Sequence, residues 1–279
     1  MVRIITDSTS DVRPAEWAEL GVSVLPLTVT INGKSYQDGI DLSNDTFFEM
    51  LEHAEQLPTT SQITPDTFSQ AFEKHTGNGD DVVGVFISSE LSGTCHSAEI
   101  AAQEMDPDKV FVVDSRIGTF GLAILVREAV KMRDAGMIAA EIAGALKKLV
   151  ARIRLVAMVD TLKYLRLGGR ISAATAFVGD LLKIRPMVEV KDGLIHNIGK
   201  IRGKRSVMQF ISRYLDEHPI DTELSFAIGH SNAHHDCHNL LEFLKDRIPA
   251  SKTFLAEIGA VIGTYIGPGA FGIAYFEKA

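Results

Sequence analysis

Apolar and polar residues alternate in blocks along the first half of the chain. Val2–Thr6 predicts a short strand, and Pro14–Leu20 has helical spacing with Pro14 suited to a first turn. Val22–Ile31 predicts a longer strand, followed by Asn32-Gly33, a dipeptide that favours a two-residue hairpin turn. Thr46–Ala54 predicts a helix. Thr64, Pro65 and Asp66 supply an N-cap, a proline at the first helical position and an acid in the first turn for a helix over Phe68–His75. Val82–Ile87, Val110–Val113 and Leu155–Val159 predict further strands, each followed by a helical pattern. Such alternation implies an α/β unit with a mainly parallel sheet flanked by helices.

The pattern changes after about residue 185. Pro186–Val190, Asp192-Gly193 and Leu194–Ile198 form a hairpin signature. A helix over Ser206–Glu217, a strand over Leu224–Gly229 and a helix over His235–Arg247 follow. Strand-like Thr253–Ala256 and Phe271–Phe276 close the chain. This mixture implies a second, α+β domain with a mixed or antiparallel sheet. The expected division is 1–155 and 156–279, and without a long linker or repeat the two parts are expected to pack closely.

The 279 residues, 46% of them hydrophobic, can supply a sizeable core. A net charge of −8 argues against broad nucleic-acid or anionic-membrane binding. The N-terminus turns polar too early for a signal peptide, and no apolar run approaches the ~20 residues of a membrane span. Cys95 and Cys237 form no framework, which points to a reduced, cytoplasmic protein.

The densest chemistry lies in Val82–Ala102. There an apolar strand ends at Ser88-Ser89, Ser92-Gly93-Thr94 follows, and a helical segment begins near Ser97. A strand, a hydroxyl-and-glycine turn and a helix direct backbone N–H groups and a helix dipole at one point, an arrangement suited to an acidic group. Asp7-Ser8-Thr9-Ser10, Ser88-Ser89 and Asp114-Ser115 end three predicted strands, where open parallel sheets hold ligands; singly, such residues are ordinary helix caps. Pro58-Thr59-Thr60-Ser61-Gln62 reads as a polar loop rich in neutral donors, or as the second half of the same site. Neutral donors hold a carboxylate without a buried salt bridge and leave its oxygens reachable.

Leu162–Arg170 reads as a short helix ended by Gly168, with Arg170 either an anion clamp or a surface residue. Lys200, Arg202, Lys204 and Arg205 make a solvated positive face or a docking patch for an acidic partner. His230, His234 and His238 recur at helical spacing, but Gly229-His230-Ser231-Asn232 reads as a strand-to-helix turn, so no metal site is expected. Gly267-Pro-Gly-Ala-Phe-Gly272 matches a dinucleotide fingerprint only literally, since seven residues remain after it. No hydrolase elbow or Walker A sequence is present, and no cofactor is expected.

Five motifs in order resemble the DegV family: Asp7-Ser8-Thr9-Ser10-Asp11, Thr59-Thr60-Ser61-Gln62, Leu91-Ser92-Gly93-Thr94, Leu162-Lys163-Tyr164-Leu165 with Gly168-Gly169-Arg170-Ile171-Ser172, and Gly267-Pro268-Gly269-Ala270. The likeness covers about residues 3 to 277. The resemblance implies a bacterial fatty-acid-binding protein of two α/β-type domains with a buried acyl chain. Some members are the carrier subunit of a fatty acid kinase, whose separate ATP-dependent subunit phosphorylates the bound carboxylate. Carried over by motif, Thr60 and Ser61, with Ser92, Gly93 and Thr94, would hold the carboxylate. Arg170 and Arg202 would face the kinase subunit or the phosphate. The family often has His two residues before its Gly-Pro-Gly; this chain has Tyr265, a donor to a carboxylate but no cation at neutral pH.

Burying about 14 methylenes at ~0.8 kcal/mol each would contribute a gross ~11 kcal/mol before ordering costs. The leading expectation is therefore a non-catalytic carrier of a long-chain fatty acid such as palmitate or oleate. The alternative is a phosphotransferase acting on a small acidic substrate through Ser92-Gly93-Thr94 and Arg170. A DNA-binding regulator is disfavoured by the charge and the lack of a basic recognition helix.

Overall fold

The computed structural model describes residues 1–171 and 184–279. It begins with β1 (Val2–Asp7), α1 (Pro14–Leu20), β2 (Val22–Leu25), β3 (Thr28–Ile31) and β4 (Lys34–Gln37). The single strand expected over Val22–Ile31 is divided here. Pro26 lies between the two pieces and lacks the N–H that a continuous ladder needs. β2 pairs in parallel with β1, whereas β3 turns away to pair with β4 through the Asn32-Gly33 turn. Both turn residues have positive φ, 51° and 75°, as a type I′ hairpin requires.

Next come α2 (Asn44–Glu52), β5 (Thr59–Ser61), α3 (Pro65–Thr76), β6 (Asp81–Phe86), α4 (Thr94–Ala102), β7 (Val110–Asp114), α5 (Thr119–Asp134) and α6 (Ala139–Val150). Thr64 caps α3 with its hydroxyl accepting from the Thr67 amide, and Pro65 opens the helix. The segment expected as a polar loop contains β5, an edge strand antiparallel to β3 with Thr60 opposite Val29. The two sheets so formed have strand orders β4-β3-β5 and β2-β1-β6-β7, the second entirely parallel.

The remaining elements are β8 (Ile153–Met158), α7 (Lys163–Leu167), β9 (Ile184–Lys191), β10 (Leu194–Arg202), α8 (Lys204–Glu217), β11 (Phe226–His230), α9 (His234–Leu244), β12 (Thr253–Glu257), α10 (Ala260–Ile266) and β13 (Phe271–Phe276). They supply a six-stranded mixed sheet of order β10-β9-β8-β13-β11-β12, antiparallel except for β11 with β12. The division expected after residue 155 falls inside β8, which belongs wholly to this sheet. Gly272 permits the close pairing there: a Cβ on it would lie 2.3 Å from the Val156 carbonyl oxygen.

α5 packs against strands of both larger sheets and is buried on nearly every side, which explains its lack of a polar face. One hydrophobic cluster runs through it, joining Ile4, Val83 and Val85 of the parallel sheet to Leu155, Ala157 and Val188 of the mixed sheet. A second cluster, with Phe68, Phe72 and Phe86, lies against α2 and α3. A third, with Met187, Ile211 and Tyr275, lies under α8 and α9. Fully burying each such aliphatic or phenyl side chain contributes about 1.5–3 kcal/mol. Among the described residues, no helix is long and apolar enough to cross a membrane.

Candidate functional site

α10 positions the site. Its seven residues, Ala-Val-Ile-Gly-Thr-Tyr-Ile, include β-branched side chains and an internal glycine, a poor helix former on its own. Side chains far away in sequence secure its N-terminus. Asp11 accepts from the Gly259 amide at 2.8 Å, and Asp38 accepts from the Ala260 amide at 3.1 Å. The other Asp11 oxygen accepts from the Thr119 hydroxyl at the start of α5. Two carboxylates at the positive end of a helix offset part of their own burial cost. Burial nevertheless pushes Asp11 well above the usual carboxylate range. It raises Asp38 from 3.8 to about 6, against hydrogen bonds from Ser8 and Ala260 and with a further push from Asp7.

The side chains of α10 line a cavity of two neighbouring parts that share wall residues. The first has an apolar lining that includes Ala157 and Val159, Val188 and Val190, and Ile258 and Ile262. The second is lined by Leu27, Ile87 and Val261 together with Thr60, Ser92, Arg170 and Tyr265. Leu91, Ile195, Ile262 and Ile266 line both parts. One part is therefore greasy, and its neighbour across the shared wall carries the polar groups.

At the polar end the hydroxyl oxygens of Thr60 and Tyr265 are 2.6 Å apart. The Arg170 guanidinium stacks over the Tyr265 ring, 4.5 Å from its centroid, and donates to the carbonyls of Gly168 and Leu91. Gly168 must be glycine for this stack: a Cβ there would lie 2.3 Å from a Tyr265 ring carbon. Ser92 Oγ accepts from the Thr94 amide at 3.2 Å and lies 2.9 Å from the Thr94 hydroxyl. Thr94 thus uses its amide, and its fully buried hydroxyl, within the turn. When that hydroxyl donates to Ser92, the Ser92 hydroxyl is left to donate to a ligand. Gly93 serves close approach: a Cβ on it would lie 2.0 Å from the side-chain oxygen of Gln62, which itself donates to Ser97 at 3.0 Å. Gln62 in this way holds the strand bearing Thr60 against the turn bearing Ser92.

Four of the eight expected site residues, Thr60, Ser92, Arg170 and Tyr265, line the cavity. Gly93 and Thr94 stand behind Ser92. Ser61 is exposed, because successive strand residues face opposite ways and Thr60 takes the inward position. Arg170, expected to face a kinase subunit or the phosphate, is half-buried and borders the polar part of the cavity, in contact with the two carbonyls and the Tyr265 ring. Arg202 is exposed at the end of β10 and lines neither part. Ser172 lies outside the described residues.

The three hydroxyl- and acid-rich strand ends cross-link loops. Asp7 accepts from the Thr9 amide and hydroxyl and from the Ile87 amide. Ser89 donates to Asp114, and Ser88 donates to the Gly193 carbonyl at the β9–β10 turn. Residues missed from sequence are the apolar ones, Leu91, Ile195, Ile262 and Ile266. Leu91 enters only as part of a motif, and nothing in the local pattern marks the three isoleucines as cavity wall rather than core.

A family model of uncharacterised proteins, the DegV family, matches residues 1–278. A DegV domain-containing protein of Caldanaerobacter subterraneus is 32% identical over 278 residues, 99% of each chain. Among solved structures, a DegV family protein of Thermus thermophilus, described for its fatty acid binding, is similar with a TM-score of 0.91 and 30% identity, covering 99% of both chains. DegV of Bacillus subtilis, described as a fatty acid binding protein, gives 0.87 and 30%, again over 99% of each chain. With a family match over nearly its whole length and a relative above 30% identity, the chain belongs to the DegV family.

Proposed function

We propose that this chain is a carrier that binds one long-chain fatty acid, with the acyl tail in the apolar part of the cavity and the carboxylate at its polar end. The observation that carries this reading is the lining of that space: an apolar part beside one that bears Thr60, Ser92, Arg170 and Tyr265. The tail supplies affinity through burial, at ~0.8 kcal/mol per methylene. The hydroxyls of Thr60, Ser92 and Tyr265 orient the carboxylate, and Arg170 adds a single positive charge, with Nε and one Nη1 donor engaged by the Leu91 and Gly168 carbonyls. A carboxylate held in this manner keeps a lone pair available to a phosphoryl donor.

The same reading extends to presentation. Lys200, Arg202 and Arg205 are exposed around the end of β10 and the start of α8, a basic patch on an acidic chain. It suits a separate, ATP-dependent kinase subunit that phosphorylates the bound acid. The chain itself is assigned no catalytic step.

Denaturing extraction of the purified chain, followed by mass spectrometry of the organic phase, tests the proposal. Fatty acid in near-equal molar amount supports it. A lipid-free extract, combined with ATP turnover by the chain alone, overturns it in favour of a phosphotransferase.

A further inference from the structure

On the side of the mixed sheet served by β11 and β12, His230 ends β11 and lies in register with Glu257, which ends the parallel neighbour β12. Asn232, with φ of 46°, turns the chain so that His234, the first residue of α9, folds back over His230. The two imidazole centroids are 4.3 Å apart, and His234 Nδ1 lies 4.0 Å from a Glu257 carboxylate oxygen. One donor atom from each of the three residues falls within 4.8 Å of the others.

We propose that His230, His234 and Glu257 form a binding site for a divalent transition ion of the zinc type. Two imidazole nitrogens and one carboxylate oxygen match the donors such an ion prefers, and they differ from the all-oxygen sets of magnesium and calcium. Three protein ligands leave a fourth position for water. Bonds of about 2.0–2.2 Å to the metal require the donors to draw closer than they now stand. His234 and Glu257 are exposed and free to make that adjustment by side-chain rotation, while His230 is buried. Its Nδ1 receives a long contact, 3.4 Å, from the Ala233 amide, which the ion replaces unless the ring turns over. Glu257 also borders an open cleft shared with Asp11 and Trp17, so solvent reaches the remaining position. This site is independent of the fatty-acid reading: it shares no residue with the cavity.

Calorimetric titration with Zn²⁺, and with Mg²⁺ as the control, tests the assignment on the full-length protein. One Zn²⁺ per chain with micromolar affinity and no measurable Mg²⁺ heat is expected. His234→Ala and Glu257→Gln, both at exposed positions, should each weaken Zn²⁺ binding by about tenfold or more. His238→Ala, one helical turn further along α9, should leave it unchanged. Absence of one-to-one Zn²⁺ binding, or equal loss in His238→Ala and His234→Ala, overturns the proposal.

Discussion

The hydroxyl oxygens of Thr60 and Tyr265 stand 2.6 Å apart across a sequence separation of 205. The contact joins the edge strand of the small sheet to the helix that walls the cavity. It also defines the polar end electrically. Among the described residues lining that end, Arg170 is the one with a cationic side chain, and Thr60, Ser92 and Tyr265 supply hydroxyls.

Head-group recognition by several weak donors predicts graded losses. Tyr265→Phe removes one of the three hydroxyls that would face the ionised group and should weaken fatty-acid binding by about 1.5–3 kcal/mol, tenfold or more. Thr60→Ala with Ser92→Ala removes two hydroxyls that would face an ionised group, at about 1.5–3 kcal/mol each, so retention should fall by two orders of magnitude or more. Competition against a fluorescent fatty acid measures both. Unchanged retention in the double variant would show that the carboxylate is held elsewhere.

The tail compartment predicts a steric effect separable from the head group. Ile262 lines both parts of the cavity and is only half-buried, so a larger ring there fills the space without displacing packed core. Ile262→Trp should abolish binding of the longest chains and shift the co-purified lipid toward shorter ones. Overpacking costs about 1–3 kcal/mol, so the fold should survive. Mass spectrometry of extracted lipid beside a thermal melt checks this. An unaltered chain-length distribution would place the tail outside this space.

Much of the architecture could be read from local pattern because local pattern causes it. The Asn32-Gly33 turn, the Thr64 cap with Pro65, and the Asp192-Gly193 hairpin each act within a few residues of themselves. Long-range causes escaped. α10 forms because Asp11 and Asp38 accept from its first amides across 248 and 222 positions, and no window of sequence contains both partners. β5 looked like a loop because its partner, β3, is itself the piece cut from a longer run by Pro26. The polar end of the cavity was legible through Thr60 and Ser92, whereas Ser61 needed the strand direction of β5 to be excluded from it. The tail lining was not legible, since aliphatic residues in a cavity wall and in a core have the same composition.

Gly93 offers a test of how the two donor loops are held together. Gly93→Ala drives a methyl group into the Gln62 amide, which must leave its hydrogen bond with Ser97. The strand bearing Thr60 then loses its brace against the Ser92 turn. Weaker fatty-acid retention is expected together with a stability loss of about 1–3 kcal/mol. Gln62→Ala in the same chain removes the obstacle and should restore most of the stability while leaving retention low. Urea unfolding and lipid competition on the single and double variants separate the two effects; full retention in Gly93→Ala would remove the brace from the account.

The buried acids at the start of α10 set the pH dependence of stability. Burial raises Asp38 from 3.8 to about 6, and Asp11 and Asp7 shift in the same direction, also chiefly through burial. Between about pH 4 and 6 the folded chain therefore keeps protons that the unfolded chain has released. The stability associated with Asp38 is fully present below pH 3.8 and is lost as pH rises through about 6. For Asp38 the loss amounts to roughly 3 kcal/mol, taking 1.36 kcal/mol per pH unit over the interval. Asp80 works the other way: hydrogen bonds from Arg3 and the N-terminal amine hold it below 3.8, so its contribution disappears only in stronger acid. Asp38→Asn keeps an oxygen for the Ala260 amide but cannot ionise. It should flatten the decline between pH 4 and 6 and gain on the parent chain at pH 7. Urea midpoints collected from pH 4 to 8 for both chains decide the matter, and parallel profiles would mean that Asp38 titrates normally in the folded protein.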